Sequence, residues 1–319
     1  MLLIFLLGIL ALAFVTLRAA DLREAAAEAR FPPQGQILHV GGTDVHVFVK
    51  GEGPDLVLIH GAGGNARDFT FRFIDRLTDR YRVFAVDRPG LGWSGRADRS
   101  LEAAFTSKAE SPAEQARILL QAVRQLGVQK PLVLGHSYGG AVAMAWALEA
   151  EASGLIIVSG ATMPWPGPLQ TYYRLFGSVP GSAFGSPLLS AWVPEARVHE
   201  ALESVFAPAP IPEGYYAGAA VPLAIRTDTH RANARQVKTL RPHLVEMSAR
   251  YPSLTLPVEI VHGTADTTVG LHIHAEPLMD TLPNARLTLL DGIGHAPHHI
   301  APKAVVAAID RAAERAGLR

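Results

Sequence analysis

Apolar residues along this chain gather into short unbroken runs separated by polar or glycine-rich stretches. Leu56-Val57-Leu58-Ile59, Pro131-Leu132-Val133-Leu134 and Val258-Glu259-Ile260-Val261 are typical. Such runs predict strands buried on both faces, as in a parallel sheet covered by helices. Eight strands are expected, at about 36–40, 43–49, 56–60, 82–86, 131–135, 154–159, 257–262 and 285–290. Gly41-Gly42 joins the first two as a tight hairpin. Helical segments lie between the later strands, and Pro112 to Leu126 is the best marked. Ser111-Pro112-Ala113-Glu114 is a capping box with proline at the first helical position. Ile118, Leu119, Ala122, Val123 and Leu126 form one apolar face, and Gly127 closes the helix.

Two regions break this rhythm. Met1 to Leu17 carries no charged side chain and is almost entirely Leu, Ile, Phe, Ala and Val, a length at the short end for a membrane-spanning helix. The lack of a basic leading segment and the Arg18 in Arg18-Ala19-Ala20 favour an uncleaved anchor over a cleaved signal. Arg18, Arg23 and Arg30 follow it, which favours the cytoplasmic face for the body of the protein; cleavage would instead make it secreted or periplasmic. Ala19 to Arg30 reads as a short polar helix ended by Phe31-Pro32-Pro33, separable from the domain that follows.

The second region is residues 162–253, rich in Pro and Gly and carrying Trp165, Tyr172, Tyr173, Phe176, Phe184, Trp192, Phe206, Tyr215 and Tyr216. It falls between the sixth and seventh strands, where an insert would cover the C-terminal edge of a parallel sheet, the usual ligand position. A helical lid lining an apolar pocket is expected, with most of these aromatics holding the lid together. The chain thus divides into 1–30, anchor and juxtamembrane helix; 31–161, first part of the core; 162–253, lid; and 254–319, second part of the core.

Composition narrows the chemistry. Lys+Arg and Asp+Glu both number 29, so nothing favours a nucleic-acid partner or a polyanion. The absence of cysteine excludes disulfides, thiolate catalysis and Cys-ligated metals.

Gly135-His136-Ser137-Tyr138-Gly139 follows a predicted strand and precedes an Ala-rich helix. A sharp strand-to-helix turn of this G-x-S-x-G pattern lifts a serine hydroxyl to where a base can reach it. Thr264-Ala265-Asp266 follows the seventh strand and Gly294-His295 the eighth, giving the order Ser, Asp, His. After the third strand, His60-Gly61-Ala62-Gly63-Gly64 is a glycine-rich loop whose backbone N–H groups could face a developing oxyanion.

With Asp87-Arg88-Pro89-Gly90-Leu91-Gly92-Trp93-Ser94 as a fourth motif, the chain from about residue 36 onward resembles the α/β-hydrolase superfamily, in its lidded branch of esterases, lipases, C–C bond hydrolases and cofactor-free perhydrolases. The resemblance implies an eight-stranded, mostly parallel sheet flanked by helices. It also implies that Ser137 attacks, His295 moves the proton, Asp266 orients the imidazole, and the amides of Ala62 and Tyr138 bind the oxyanion. Many relatives carry an acidic residue shortly after the catalytic histidine, whereas Pro297-His298-His299-Ile300 has none.

Other side chains read as structural. His272 and His274 have the spacing of a metal pair but no third ligand, and read as surface residues. His298 and His299 read as solvated loop histidines, Asp87 as a brace, and His60 as holding the glycine loop. The sequence thus points to a serine hydrolase that cleaves apolar or lipid-like carboxylic esters through an acyl-enzyme, needs no cofactor, and meets the membrane through its N-terminal helix. A C–C bond hydrolase or perhydrolase would share the triad; a membrane-tethered binding protein would not use it. Epoxide and haloalkane hydrolases of this fold attack with aspartate, and position 137 is serine.

Overall fold

Eight strands form one sheet in the computed structural model, which describes residues 1–319. They are β1 (Gln36–Val40), β2 (Thr43–Lys50), β3 (Asp55–Ile59), β4 (Arg82–Val86), β5 (Leu132–His136), β6 (Gly154–Val158), β7 (Val258–Gly263) and β8 (Ala285–Leu290). Every boundary falls within one residue of expectation. The spatial order is β1-β2-β4-β3-β5-β6-β7-β8, antiparallel at β1/β2 and β2/β4 and parallel elsewhere. Gly41 and Gly42 both take positive φ in the hairpin that pairs Val40 with Thr43, which is the geometry a two-residue turn requires.

Twelve helices accompany the sheet: α1 (Leu2–Arg30), α2 (Arg67–Thr70), α3 (Pro112–Gln125), α4 (Tyr138–Glu149), α5 (Thr171–Phe176), α6 (Ser186–Trp192), α7 (Glu195–Phe206), α8 (Tyr215–Gly218), α9 (Thr227–Ser248), α10 (Leu271–Thr281), α11 (Pro297–Ile300) and α12 (Pro302–Arg315). Alternation along each strand supplies two cores. Val57, Ile59, Val133, Leu155 and Ile157 pack with Leu119 and Val123 of α3, Trp146 of α4 and Leu278 of α10. Leu56, Leu58, Leu132, Leu134 and Ile156 pack on the other side with Phe69, Phe73 and Val305 and Ile309 of α12. Full burial of each such side chain is worth about 1.5–3 kcal/mol. The capping box at Ser111 and Glu114 forms in both directions.

The first thirty residues depart from expectation. They make one continuous helix ending at Arg30, and its polar half is docked. Arg23 donates to the Val193 carbonyl at 3.0 Å, Glu28 pairs with Arg226 at 2.8 Å, and the indole N–H of Trp192 donates to Thr16 Oγ1 at 3.2 Å. Glu24 accepts from Ser190 Oγ at 3.1 Å and from the Thr227 backbone N–H at 2.8 Å. A carboxylate there neutralises the free amides and positive end of α9. Ala27 and Phe31 bury against Ala220 and Leu223. The charges of the segment that reads as a short polar helix separable from the domain therefore bind α6 and the start of α9. The apolar half, Leu2 to Leu17, stands exposed except at Thr16, and the helix Leu2–Arg30 is long and apolar enough to cross a membrane.

Candidate active site

The turn from β5 into α4 sets Ser137 at φ 53°, ψ −121°, a conformation costly for any residue but glycine and typical of functional strain. Its neighbours must be small. A Cβ on Gly135 would lie 2.2 Å from the Gly139 carbonyl oxygen, and one on Gly139 would lie 2.2 Å from that of Ile59. Tyr138 is the first residue of α4, so the helix offers its N–H no acceptor.

The glycine loop after β3 approaches from the opposite side, since a Cβ on Gly61 would meet Ser137 Cβ at 2.9 Å. Buried groups fix it. Arg88 donates through Nε to the His60 carbonyl at 3.1 Å and through an Nη to that of Gly61 at 3.0 Å. Its guanidinium lies 4.2 Å from the centre of the Tyr138 ring. His60 Nε2 accepts the Arg88 backbone N–H at 3.0 Å. Gly63 N–H is engaged by Asn233 Oδ1 of α9 at 2.7 Å, whereas no backbone carbonyl takes the Ala62 N–H. Asp87 is the expected brace: it accepts from His46 at 2.8 Å, Ala66 N–H at 2.6 Å and Trp93 N–H at 2.8 Å.

Asp266 and His295, 29 positions apart, meet through Oδ2 and Nδ1 at 2.8 Å. The other Asp266 oxygen accepts the Thr268 and Val269 amides, each at 2.9 Å. Burial pushes the Asp266 carboxyl up, but hydrogen bonds from His262 and His295 outweigh it and hold the group well below the ordinary carboxylate range. Ser137 and His295 line one cavity of about 170 Å³ with Ala62, although Ser137 Oγ makes no hydrogen bond to the imidazole. Tyr173, Leu202, Val205, Tyr215 and Val221 of the 162–253 insert complete its wall. Of the insert's aromatics, then, Tyr173 and Tyr215 reach this cavity, Phe206 is buried against Tyr215, and Phe184 and Trp192 point outward.

Two histidines expected in solvent are instead enclosed. His298 and His299 donate from Nε2 to Asp68 of α2 at 3.0 and 2.9 Å, and Tyr215 Oη donates to the same carboxylate at 2.7 Å. The carboxylate missing after His295 in sequence thus arrives from a separate element. Burial opposes ionisation of Asp68, but His298 and His299 hold its carboxyl well below the ordinary range; burial pushes His298 down to about 4. The ligand-capable atoms of Asp68, His298 and His299 lie within 4.8 Å of one another, a set that could also hold a metal ion. His136, beside the serine, donates from Nε2 to the His295 carbonyl at 2.9 Å, and its buried Nδ1 has no partner. The 272/274 pair separates: His272 is exposed beside Glu276, while His274 is buried and accepts the Met163 N–H through Nδ1 at 3.1 Å. Sequence reading missed Arg88, Asp68, His136 and Asn233. Only Arg88, a cation two residues after an apolar strand, left a visible sign.

The α/β-hydrolase family model matches residues 56–308. A magnesium-chelatase 30 kDa subunit of Rhodobacter capsulatus is 28% identical over 286 residues, covering 88% of this chain and 91% of that one. The solved esterase of Exiguobacterium antarcticum aligns with a TM-score of 0.66 at 19% identity, over 88% of this chain and 99% of its own. A bacterial membrane phospholipase A aligns with a TM-score of 0.63 at 20% identity, over 97% of both chains. With the family model spanning most of its length and the elbow, glycine loop and histidine loop meeting at one cavity, the chain belongs to the α/β-hydrolase family.

Proposed function

We propose that the protein is a membrane-anchored serine hydrolase of apolar carboxylic esters. The observation that carries this reading is the cavity shared by a strained serine and a histidine whose Nδ1 is held by a buried, ionised carboxylate. An alcohol is a weak nucleophile at neutral pH and needs an adjacent base. In the proposed mechanism Ser137 Oγ attacks the ester carbonyl as His295 Nε2 takes its proton, a contact that tightens when substrate binds. The Ala62 and Tyr138 N–H groups receive the oxyanion, each worth about 3 kcal/mol. His295 then protonates the departing alcohol, leaving an acyl-enzyme. Water, deprotonated by the same imidazole, releases the acid and restores Ser137. Asp266 stays ionised throughout, fixing the tautomer and stabilising the imidazolium.

Residues 162–253 act as a lid, supported by the cavity wall they supply, and Leu2 to Leu17 holds the chain in the membrane. The test is covalent labelling by a fluorophosphonate, followed by turnover of p-nitrophenyl esters against dienone and peroxide substrates. Labelling of Ser137 with ester turnover is expected. Absence of labelling, or turnover confined to the other two substrates, would remove the ester reading.

A further inference from the structure

Between Arg174 and Glu195 lie twenty consecutive residues without a charge, in a chain where 18% of residues are charged. They are not hidden. A helical turn over Gly181–Gly185 runs directly into α6, so Phe184, Leu188 and Trp192 follow the i, i+4, i+8 spacing of one helix face. Their exposures are 62%, 50% and 52%. Phe105, 69% exposed, extends this face by packing edge-on against Phe184 at 5.8 Å between ring centres. The opposite face of α6 is buried through Ser186, Pro187, Ser190 and Ala191. Leaving four large apolar side chains in water along one side of a well-packed helix, three of them on the helix itself, requires a partner.

The contact between Trp192 and Thr16 identifies the partner. Thr16 lies two residues before Arg18, the first charge of the chain, so the stripe abuts α1 where its exposed apolar half ends. A helix with an apolar face and a terminal indole at that level is the arrangement that rests in the headgroup boundary of a bilayer. On the neighbouring α5, Leu175 is exposed while Tyr173 lines the catalytic cavity. An exposed apolar side chain and part of the cavity wall are thus borne by the same short helix. We infer that Phe184, Leu188, Trp192 and Phe105 form a second membrane contact that seats the insert in the lipid interface beside α1. It rests on the membrane reading of α1 and deepens it: the cavity is presented to esters carried in the bilayer.

The absence of cysteine permits a direct test on the full chain. Leu188→Cys, Leu6→Cys and Leu289→Cys, the last exposed on β8, each give one labelling site for an environment-sensitive fluorophore. The proteins are reconstituted in phosphatidylcholine vesicles with or without a spin-labelled phosphatidylcholine. Labels at 188 and 6 should be blue-shifted and quenched at least twofold, and the label at 289 neither. A label at 188 that behaves like 289 while 6 is quenched overturns this inference and leaves the anchor standing. Absence of quenching at both removes both readings. A label at 188 that is shielded but unquenched, with the unlabelled Leu188→Cys protein forming disulfide-linked dimers, assigns the stripe to a second copy and also overturns it. Phe184→Asp with Leu188→Asp should lower kcat/KM at least tenfold on a long-chain ester held in vesicles and leave a soluble short-chain ester unchanged. An equal loss on both substrates counts against the membrane contact. The fluorophosphonate reaction reports separately on the ester reading.

Discussion

Glu28 on the N-terminal helix and Arg226 at the start of α9 form an ion pair at 2.8 Å, joining segments 198 positions apart. With the Glu24 carboxylate on the Thr227 amide and the apolar contact of Ala27 and Phe31 with Leu223, this makes the polar half of α1 part of the folded body. Deletion of residues 1–17 should therefore leave the melting temperature and turnover of a soluble ester nearly unchanged while releasing the protein from membranes. Deletion of 1–30 should also remove a helix cap worth about 1 kcal/mol and the buried Ala27 side chain. A fall in melting temperature on the order of 3–4 °C is expected. Scanning calorimetry of the two truncations is the measurement; equal melting temperatures would show the docking to be energetically idle.

Substitution at the proposed triad gives a second prediction. Ser137→Ala and His295→Ala should each lower kcat by about 10⁶-fold, as much as both together, because nucleophile and base act as one unit; Asp266→Ala should cost less. Substantial ester turnover by Ser137→Ala, measured on protein free of contaminating esterase, would reject the mechanism.

The parts that were legible in sequence are those governed by local rules. Buried parallel strands require unbroken apolar runs, and the elbow requires small residues at Gly135 and Gly139, so both were visible. The environment of His298 and His299 was not, because their acceptor, Asp68, lies 230 and 231 positions earlier. Nothing in Pro297-His298-His299-Ile300 encodes that partner. The docking of α1 was hidden for a related reason: nothing in the short polar helix from Ala19 to Arg30 encodes its partners, and only the packed structure shows that α6 and α9 hold Arg23, Glu24 and Glu28. Asn233 was hidden likewise, since a helix of mixed polarity does not announce which of its amides reaches a loop 170 residues away.

Asp68 supports a third prediction. Replacing it with alanine leaves three buried donors without their acceptor beside the cavity, a loss of about 3 kcal/mol. Asp68→Asn, which retains one acceptor oxygen, should cost roughly half as much. Prolonged treatment with EDTA should leave the rate of ester hydrolysis unchanged, because the proposed steps use no metal. Loss of activity restored by zinc would instead assign Asp68, His298 and His299 to a metal site.

Acid should unfold the protein more readily than its balanced charge suggests. Burial depresses His60, His230, His274 and His298 to about 4, and His136 well below its ordinary value. Each is neutral in the fold at a pH where its unfolded counterpart, with a pKa near 6.5, already takes a proton. The unfolded state thus binds more protons, and stability falls as pH drops from about 6.5 toward 4. At pH 5 each of the four histidines held near 4 costs on the order of 1–2 kcal/mol. His46, raised by Asp87 against its burial, works in the opposite direction but is one against five. Urea denaturation between pH 4.5 and 7.5 should show the fall, and a flat profile would contradict it. His298→Gln should flatten part of the slope.

The last prediction concerns the acyl group. The cavity at Ser137 is about 170 Å³ and seven of its sixteen lining residues are hydrophobic, several of them from the insert. Lengthening the acyl chain of a soluble ester from two carbons toward six or eight should bring added methylenes against Leu202, Val205 and Val221. Each fully buried methylene contributes up to about 0.8 kcal/mol, or roughly fourfold in kcat/KM. Because the wall is borne by α5, α7 and the segment around Val221, the gain should diminish when the enclosed volume is filled, and Leu202→Trp should shift that point to shorter chains. A series of p-nitrophenyl esters measures both effects. A strict preference for acetate in the wild-type protein would mean that the insert closes on a small group alone, and the apolar-ester reading would fall with it.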